Sequence, residues 1–488
     1  MSGKSSSSMY KHSHSIIRYA LIAALLIVGV LTAASYIRFF WLSSVDLPKG
    51  DHWRYLLGLI KYMNGQSSLW HFLSSDFYTL SHSHIVTLGL VLGNYYLFDL
   101  RYDLEAYIGL LSVIVLAIFV SYQFFINHLN SSSPLILASA LLALITVLFN
   151  PHNVVIWSLV LFEYFYLLCA VLALYWYEKL PERVWGRSCF FAAMPLYFYL
   201  GDAMGASAIL SMVVWTVLFA RATHWRHLAI CLVIVGICVL SASVLFPDMR
   251  PHTKVGKLDA LEYLVSHPLQ TIQFILNLYS QGLVAYQYVA KLFPENGALV
   301  QQSIGFLLLC FQLGAVFIAV RFRHLVSSQL PLLLIIFTAI SAVGILLSRL
   351  PEFGPTYGVN YAFGLRYVRL FQLGLVGALW IYFSIWINST DKSLTSHFSV
   401  KFSMIILFVC LIFSSYYSHQ YFWSLIPSKQ KYNDRVVIMF KRAANGSDID
   451  LGAADPRCAK NFCDKQLAFL KEHRLSIFRE EHLLDSSK

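Results

Sequence analysis

The sequence predicts an all-α fold: a polytopic transmembrane bundle of about eleven spans, a long first external loop carrying surface helices, and a small external C-terminal segment. Three observations predict it. Charged residues make up 12% of the chain and hydrophobic ones 58%, where a soluble domain carries roughly 25% charged residues. Apolar runs recur from residue 19 to residue 419, so this is not a soluble domain on one anchor. The basic residues behind the net charge of +11 gather in short loops beside those runs. That is the positive-inside pattern of membrane proteins, not a nucleic-acid-binding surface.

The first run, 19–41, follows Lys4, Lys11 and Arg18. It is too long for a signal-peptide core and no small-residue cleavage site follows, so it reads as a retained signal anchor. The remaining expected spans are 106–126, 134–149, 154–176, 188–200, 203–220, 228–246, 303–320, 330–347, 367–387 and 402–417. With the N-terminus in the cytoplasm, loops 127–133, 177–187, 221–227, 321–324 and 388–401 fall on the cytoplasmic side, and all but the first are basic. The alternation requires that 85–98 not cross; at 14 residues it suits a helix lying along the outer surface. Gly89 and Gly93 in it form a small-xxx-small pair that permits close helix packing.

The organisation is then a cytoplasmic tail 1–18, a transmembrane region 19–419 with external loops 42–105 and 247–302, and an external segment 420–488. Within the second loop, 258–292 reads as a weak amphipathic helix on the surface. The stretch 348–366, with two prolines and three glycines, reads as an ordered loop rather than a helix. The tail has turns at Asn445-Gly446 and 452–456 and reads as a small folded or docked segment. Six cysteines lie inside apolar runs, where Cys behaves as a small hydrophobe. Cys458 and Cys463, in the tail, fit either a disulfide, which needs an oxidising compartment, or two free thiols.

The polar loop after the first span holds the first candidates for chemistry. Pro48-Lys49-Gly50-Asp51 is a turn ending in a good N-cap for a helix over 52–64. Asp51 is either that cap alone or a general base just above the membrane, able to orient or deprotonate an acceptor hydroxyl. Trp53 offers an aromatic face for a sugar ring, or an interfacial anchor, and Arg54 a cation beside it. Asp76, His82 and His84 follow; two histidines two apart hint at a metal site without the further ligands one needs. Glu163 sits mid-span. Gly201-Asp202 breaks a long apolar run, either lining a cavity or forming a plain turn. His252, Lys254 and Lys257 supply positive charge in the second external loop. Arg366-Tyr367 and Arg369 open a late span, where two guanidinium forks suit a phosphate or snorkel to lipid headgroups.

This layout resembles the GT-C glycosyltransferase superfamily, in particular its bacterial polytopic inner-membrane members. The likeness rests on Asp51 in Asp51-His52-Trp53 just after the first span, on Arg366-Tyr367 opening a late span, and on the tail motif Arg474-Leu475-Ser476-Ile477-Phe478. Ser81-His82-Ser83-His84 stands where such proteins often carry an Asn-Glu-His-Arg type motif, and lacks its acid and arginine. The resemblance implies transfer of a sugar from a polyprenyl-phosphate donor to a cell-envelope glycan or lipid acceptor, on the outer face of the inner (cytoplasmic) membrane. Asp51 would be the catalytic residue. Trp53, Arg54, Asp76, His82, His84, Asp202, His252, Lys254, Arg366, Tyr367 and Arg369 would bind substrate, with Asp51 and Arg366 lining one cavity. Membrane lipids are the other partners. A divalent metal is an open possibility that no residue spacing demands. The competing readings are a lipid-linked glycan flippase, an O-antigen-type polymerase or ligase, and a structural assembly subunit.

Overall fold

A computed structural model gives the architecture and describes residues 5–50, 52–73, 85–129, 133–150, 158–180, 189–194, 202–219, 222–245, 257–323, 325–326, 328–363, 367–388, 398–455, 458 and 463–479. Every regular element among them is helical. Among the described residues five helices are long and apolar enough to cross a membrane: Tyr19–Ser43, Tyr102–Asn127, Gly297–Arg321, Leu330–Phe363 and Val368–Asn388. At about 1.5 Å per residue, even the shortest, at 21 residues, covers a hydrocarbon core of about 30 Å. Three other expected spans correspond to shorter apolar helices, Pro134–Leu148, Met204–Phe219 and His224–Cys238. Most of the expected span 188–200 lies outside the described residues.

The chain divides into two units. One comprises Met1–Phe39, Ile114–Asn153 and Leu264–Phe422. At its centre stands α14 (Val368–Asn388), apolar on all sides and packed on α5 (Pro134–Leu148), α12 (Gly297–Arg321) and α13 (Leu330–Tyr357). A helix apolar all round belongs in an interior, and 83% of its apolar window is buried. Glycines set the close approaches. A Cβ on Gly305 of α12 would stand 1.9 Å from the Leu276 carbonyl oxygen of α10 (Pro268–Ser280), and one on Gly377 2.5 Å from Pro331 O.

The stretch 348–366 is not the loop its prolines and glycines predict. Helix α13 runs through Pro351 and Pro355 to Tyr357, ends at Gly358 with φ +60°, and passes into a 3₁₀ turn, Gly358–Phe363. Proline interrupts the helical ladder, but neighbouring contacts hold the path: Phe353 stacks on Tyr361 at 4.3 Å and Arg349 pairs with Glu352 at 3.2 Å. The amphipathic stretch 258–292 forms three helices rather than one: α9 (Lys257–Ser266), α10 and α11 (Tyr286–Leu292), with Pro268 opening the second.

The other unit comprises Phe40–Val113, Val154–Tyr263 and Trp423–Lys488. It includes α2 (His52–Met63), α3 (Ile85–Phe98), the start of α4 (Tyr102–Asn127), and the tail helices α16 (Ile426–Ala444) and α17 (Asp464–Glu472). Leu56 and Leu59 of α2, Leu88 of α3, Val436 and Phe440 of α16, and Leu467 and Leu470 of α17 share one apolar core. The tail is therefore folded, and Cys458 and Cys463 are joined in a disulfide within that core. The fit of α3 differs from its small-residue signal: a Cβ at Gly89 or Gly93 would meet nothing within 4 Å among the described residues.

Candidate functional site

Helix α3 ends at Asp99 and Leu100, both left-handed with φ +53° and +55°. Such a conformation is costly for leucine; complete burial of Leu100 in the apolar core opposes that cost. Asn94 fastens the reversal. Its Oδ1 accepts from Arg101 N at 2.8 Å, and its Nδ2 donates to Arg101 O and to Glu105 Oε1, both at 3.0 Å.

Glu105, in the first turn of α4, is thereby aimed at α2. Its Oε2 lies 2.7 Å from Nε2 of His52, and both residues are buried. His52 Nδ1 lies 3.2 Å from the Lys49 carbonyl. Both ring nitrogens thus face oxygen atoms, the carboxylate on one side and the carbonyl on the other. Tyr102 covers the imidazole edge-on at 4.9 Å.

The turn between α1 (Ser5–Ser43) and α2 is held from the tail as well. Asp455 Oδ2 accepts from Gly50 N at 2.8 Å and from Trp53 Nε1 at 3.1 Å, and Gln466 Nε2 donates to Trp53 O. Two ammonium groups accompany the turn. Lys49 Nζ lies 3.4 Å from Asn433 Oδ1, and burial holds its pKa below the usual lysine value. Burial, with the charge of Lys49, pushes Lys429 down to about 8. On the other side of the loop, Asp46 pairs with Arg479 and accepts from Tyr102 N at 2.8 Å. Burial outweighs the guanidinium and pushes Asp46 up to about 6.

Of the residues the sequence singles out, Asp51, Asp76, His82, His84, His252, Lys254 and Arg366 lie outside the described residues, and so does the cavity expected between Asp51 and Arg366. Asp202 opens α7 (Asp202–Phe219), and Tyr367 is half-buried. Trp53 is not a sugar-stacking platform: it is fully buried, with its ring 5.1 Å from that of Phe440. Arg369 does not reach for headgroups. It is buried, and its Nη atoms donate to Tyr36 OH, Gln372 Oε1 and the Leu148 carbonyl. Arg54 Nη1 is buried and has no acceptor among the described residues. Sequence reasoning missed Asp46, Lys49, Glu105, Lys429 and Asp455. An acid opening an apolar run, as Glu105 does, was the available signal for one of them. Among the described residues no three His, Cys, Asp or Glu side chains converge as metal ligands. No protein-family model matches the chain, and no curated protein or solved structure is significantly similar to it.

Proposed function

We propose that the protein is a membrane glycosyltransferase of the GT-C type, which moves a sugar from a polyprenyl-phosphate donor to a cell-envelope glycan or lipid acceptor on the outer face of the inner membrane. The observation that carries the reading is the bonding of the two residues that flank position 51. Gly50 is bonded to Asp455, and His52 to Glu105 and Lys49 O. These bonds fix Gly50 and His52, and fixed neighbours are what a positioned general base between them requires. In this reading Asp51 orients or deprotonates the acceptor hydroxyl. The departing lipid phosphate needs positive charge, which in this reading comes from Lys49, Lys429 and Arg54, whose Nη1 has no acceptor among the described residues. Arg366, Tyr367, His252 and Lys254 are further donor contacts, and Asp76, His82, His84 and Asp202 acceptor contacts. The reading carries about eleven spans with it, a cytoplasmic N-terminus and an external C-terminus. The disulfide in the tail supports the last of these, since such bonds persist in oxidising compartments.

The test uses membranes containing the full chain, a radiolabelled polyprenyl-phosphate sugar and the envelope fraction as acceptor. Asp51→Asn preserves a helix cap and is expected to lower transfer by roughly 10²–10⁴-fold, the usual worth of general-base help. Arg54→Gln is expected to raise KM for the donor more than it lowers kcat. Undiminished transfer by Asp51→Asn at normal protein levels would reduce Asp51 to a cap and end this assignment.

A further inference from the structure

Helix α16 carries two faces. Ile426, Asn433, Val436 and Phe440 are buried, three of them apolar, while Lys431, Asp434, Arg435, Ile438 and Arg442 are exposed. The exposed set falls at steps of three and four residues, so it forms one stripe. None of its three cations has an ion-pair partner among the described residues, Asp434 included. With Met439 and with Ile449 from the following turn, the stripe lines an open groove of about 380 Å³.

From this groove we infer a binding site for the headgroup of an anionic phospholipid. Charge sets the sign of the ligand: three cations stand against one carboxylate. The mixed lining sets its kind. Ile438, Met439 and Ile449 stand among the cations, which suits an amphiphile whose phosphate meets the guanidinium forks while its glycerol and upper acyl carbons cover the apolar side chains. Chain position sets its source. In the eleven-span reading the run 402–417 crosses the membrane, and helix α16 begins two residues after the helix that contains it, α15 (Phe398–Ser424), ends; in that reading α16 stands where a chain leaving a bilayer meets headgroups. Arg442 also suits the helix C-terminus, but Lys431 and Arg435 lie too far from that end for the dipole to explain them. The inference rests on the membrane reading of the chain and is independent of sugar transfer.

The test is native mass spectrometry of the full-length protein in mild detergent, titrated with phosphatidylglycerol or with phosphatidylcholine. A cation at an anionic surface is worth roughly fivefold in affinity. The triple variant Lys431→Gln/Arg435→Gln/Arg442→Gln is therefore expected to lose about a hundredfold in phosphatidylglycerol affinity at one site, with phosphatidylcholine binding unchanged. Ile438→Glu, a single exposed change, is expected to act in the same direction, which separates the site from any folding defect of the triple variant. Equal retention of both lipids by the unmodified protein would overturn the inference. So would phosphatidylglycerol binding that neither variant weakens, or competition by inorganic pyrophosphate or an acidic peptide in the absence of any lipid preference.

Discussion

His52 stands between a carboxylate and a carbonyl in a dry setting, and that arrangement fixes what a substitution costs. Removing one partner of a buried pair leaves the other uncompensated, at about 3–5 kcal/mol, whereas an isosteric acceptor keeps the hydrogen bond. Glu105→Ala is thus expected to lower the thermal midpoint of the purified protein markedly and Glu105→Gln much less, read by tryptophan fluorescence in detergent. Equal midpoints would deny the pair a structural role. Asp46 gives a second outcome, because its raised pKa makes the folded state the better proton binder. The associated stability is fully present below the unfolded value of 3.8 and is lost as pH rises through about 6. Amides of α17 are expected to exchange more slowly at pH 5 than at pH 7.5, after correction for intrinsic rates, and Asp46→Asn should flatten the difference. The sequence made the helix after residue 51 legible because turn and helix signals are local. It left Glu105 and Asp455 hidden because their partners stand 53 and roughly 400 residues away, and nothing local encodes such a pairing. Trp53 was misread for a related reason: an aromatic residue in a polar loop looks exposed until the tail that buries it is in place.

Helices show the same division between local and distant causes. The bounds of α3 coincide with the apolar run 85–98, and α2 ends within one residue of its expected limit, since composition and capping set both. The continuation of α13 through two prolines was not legible, because Phe353–Tyr361 stacking and the packing of α14 hold it rather than propensity. Glycine spacing misled in the other direction. Gly89 and Gly93 have the signal but no close neighbour among the described residues, while Gly305 lacks a paired glycine and meets backbone. Gly305→Ala forces α10 and α12 apart, and overpacking of this sort costs roughly 1–3 kcal/mol. It should lower the thermal midpoint clearly, with Gly89→Ala neutral or slightly stabilising through helix propensity. A Gly305→Ala midpoint equal to that of the unmodified protein would show that these helices do not meet as tightly as their backbones indicate.

At the scale of the whole molecule the decisive quantity is the parity of its crossings. Positive loops stay in the cytoplasm, and loops 177–187, 221–227, 321–324 and 388–401 are all basic. With the N-terminus on their side, an odd number of spans brings the tail out. The bonded Cys458 and Cys463 point the same way, because a cytosolic tail would meet a reducing pool. Helix α3 is the element on which the parity turns: at 14 residues it is too short to cross a core of about 30 Å unaided. A phosphatase reporter that works only when exported, fused after Lys488, is therefore expected to be active. In freshly prepared membranes Cys458 and Cys463 should resist alkylation until reduced. A reporter active only in the cytoplasm, together with two reactive thiols, would make the number of crossings even. The first candidate for the additional crossing would then be α3, drawn into the bilayer with help from its neighbours.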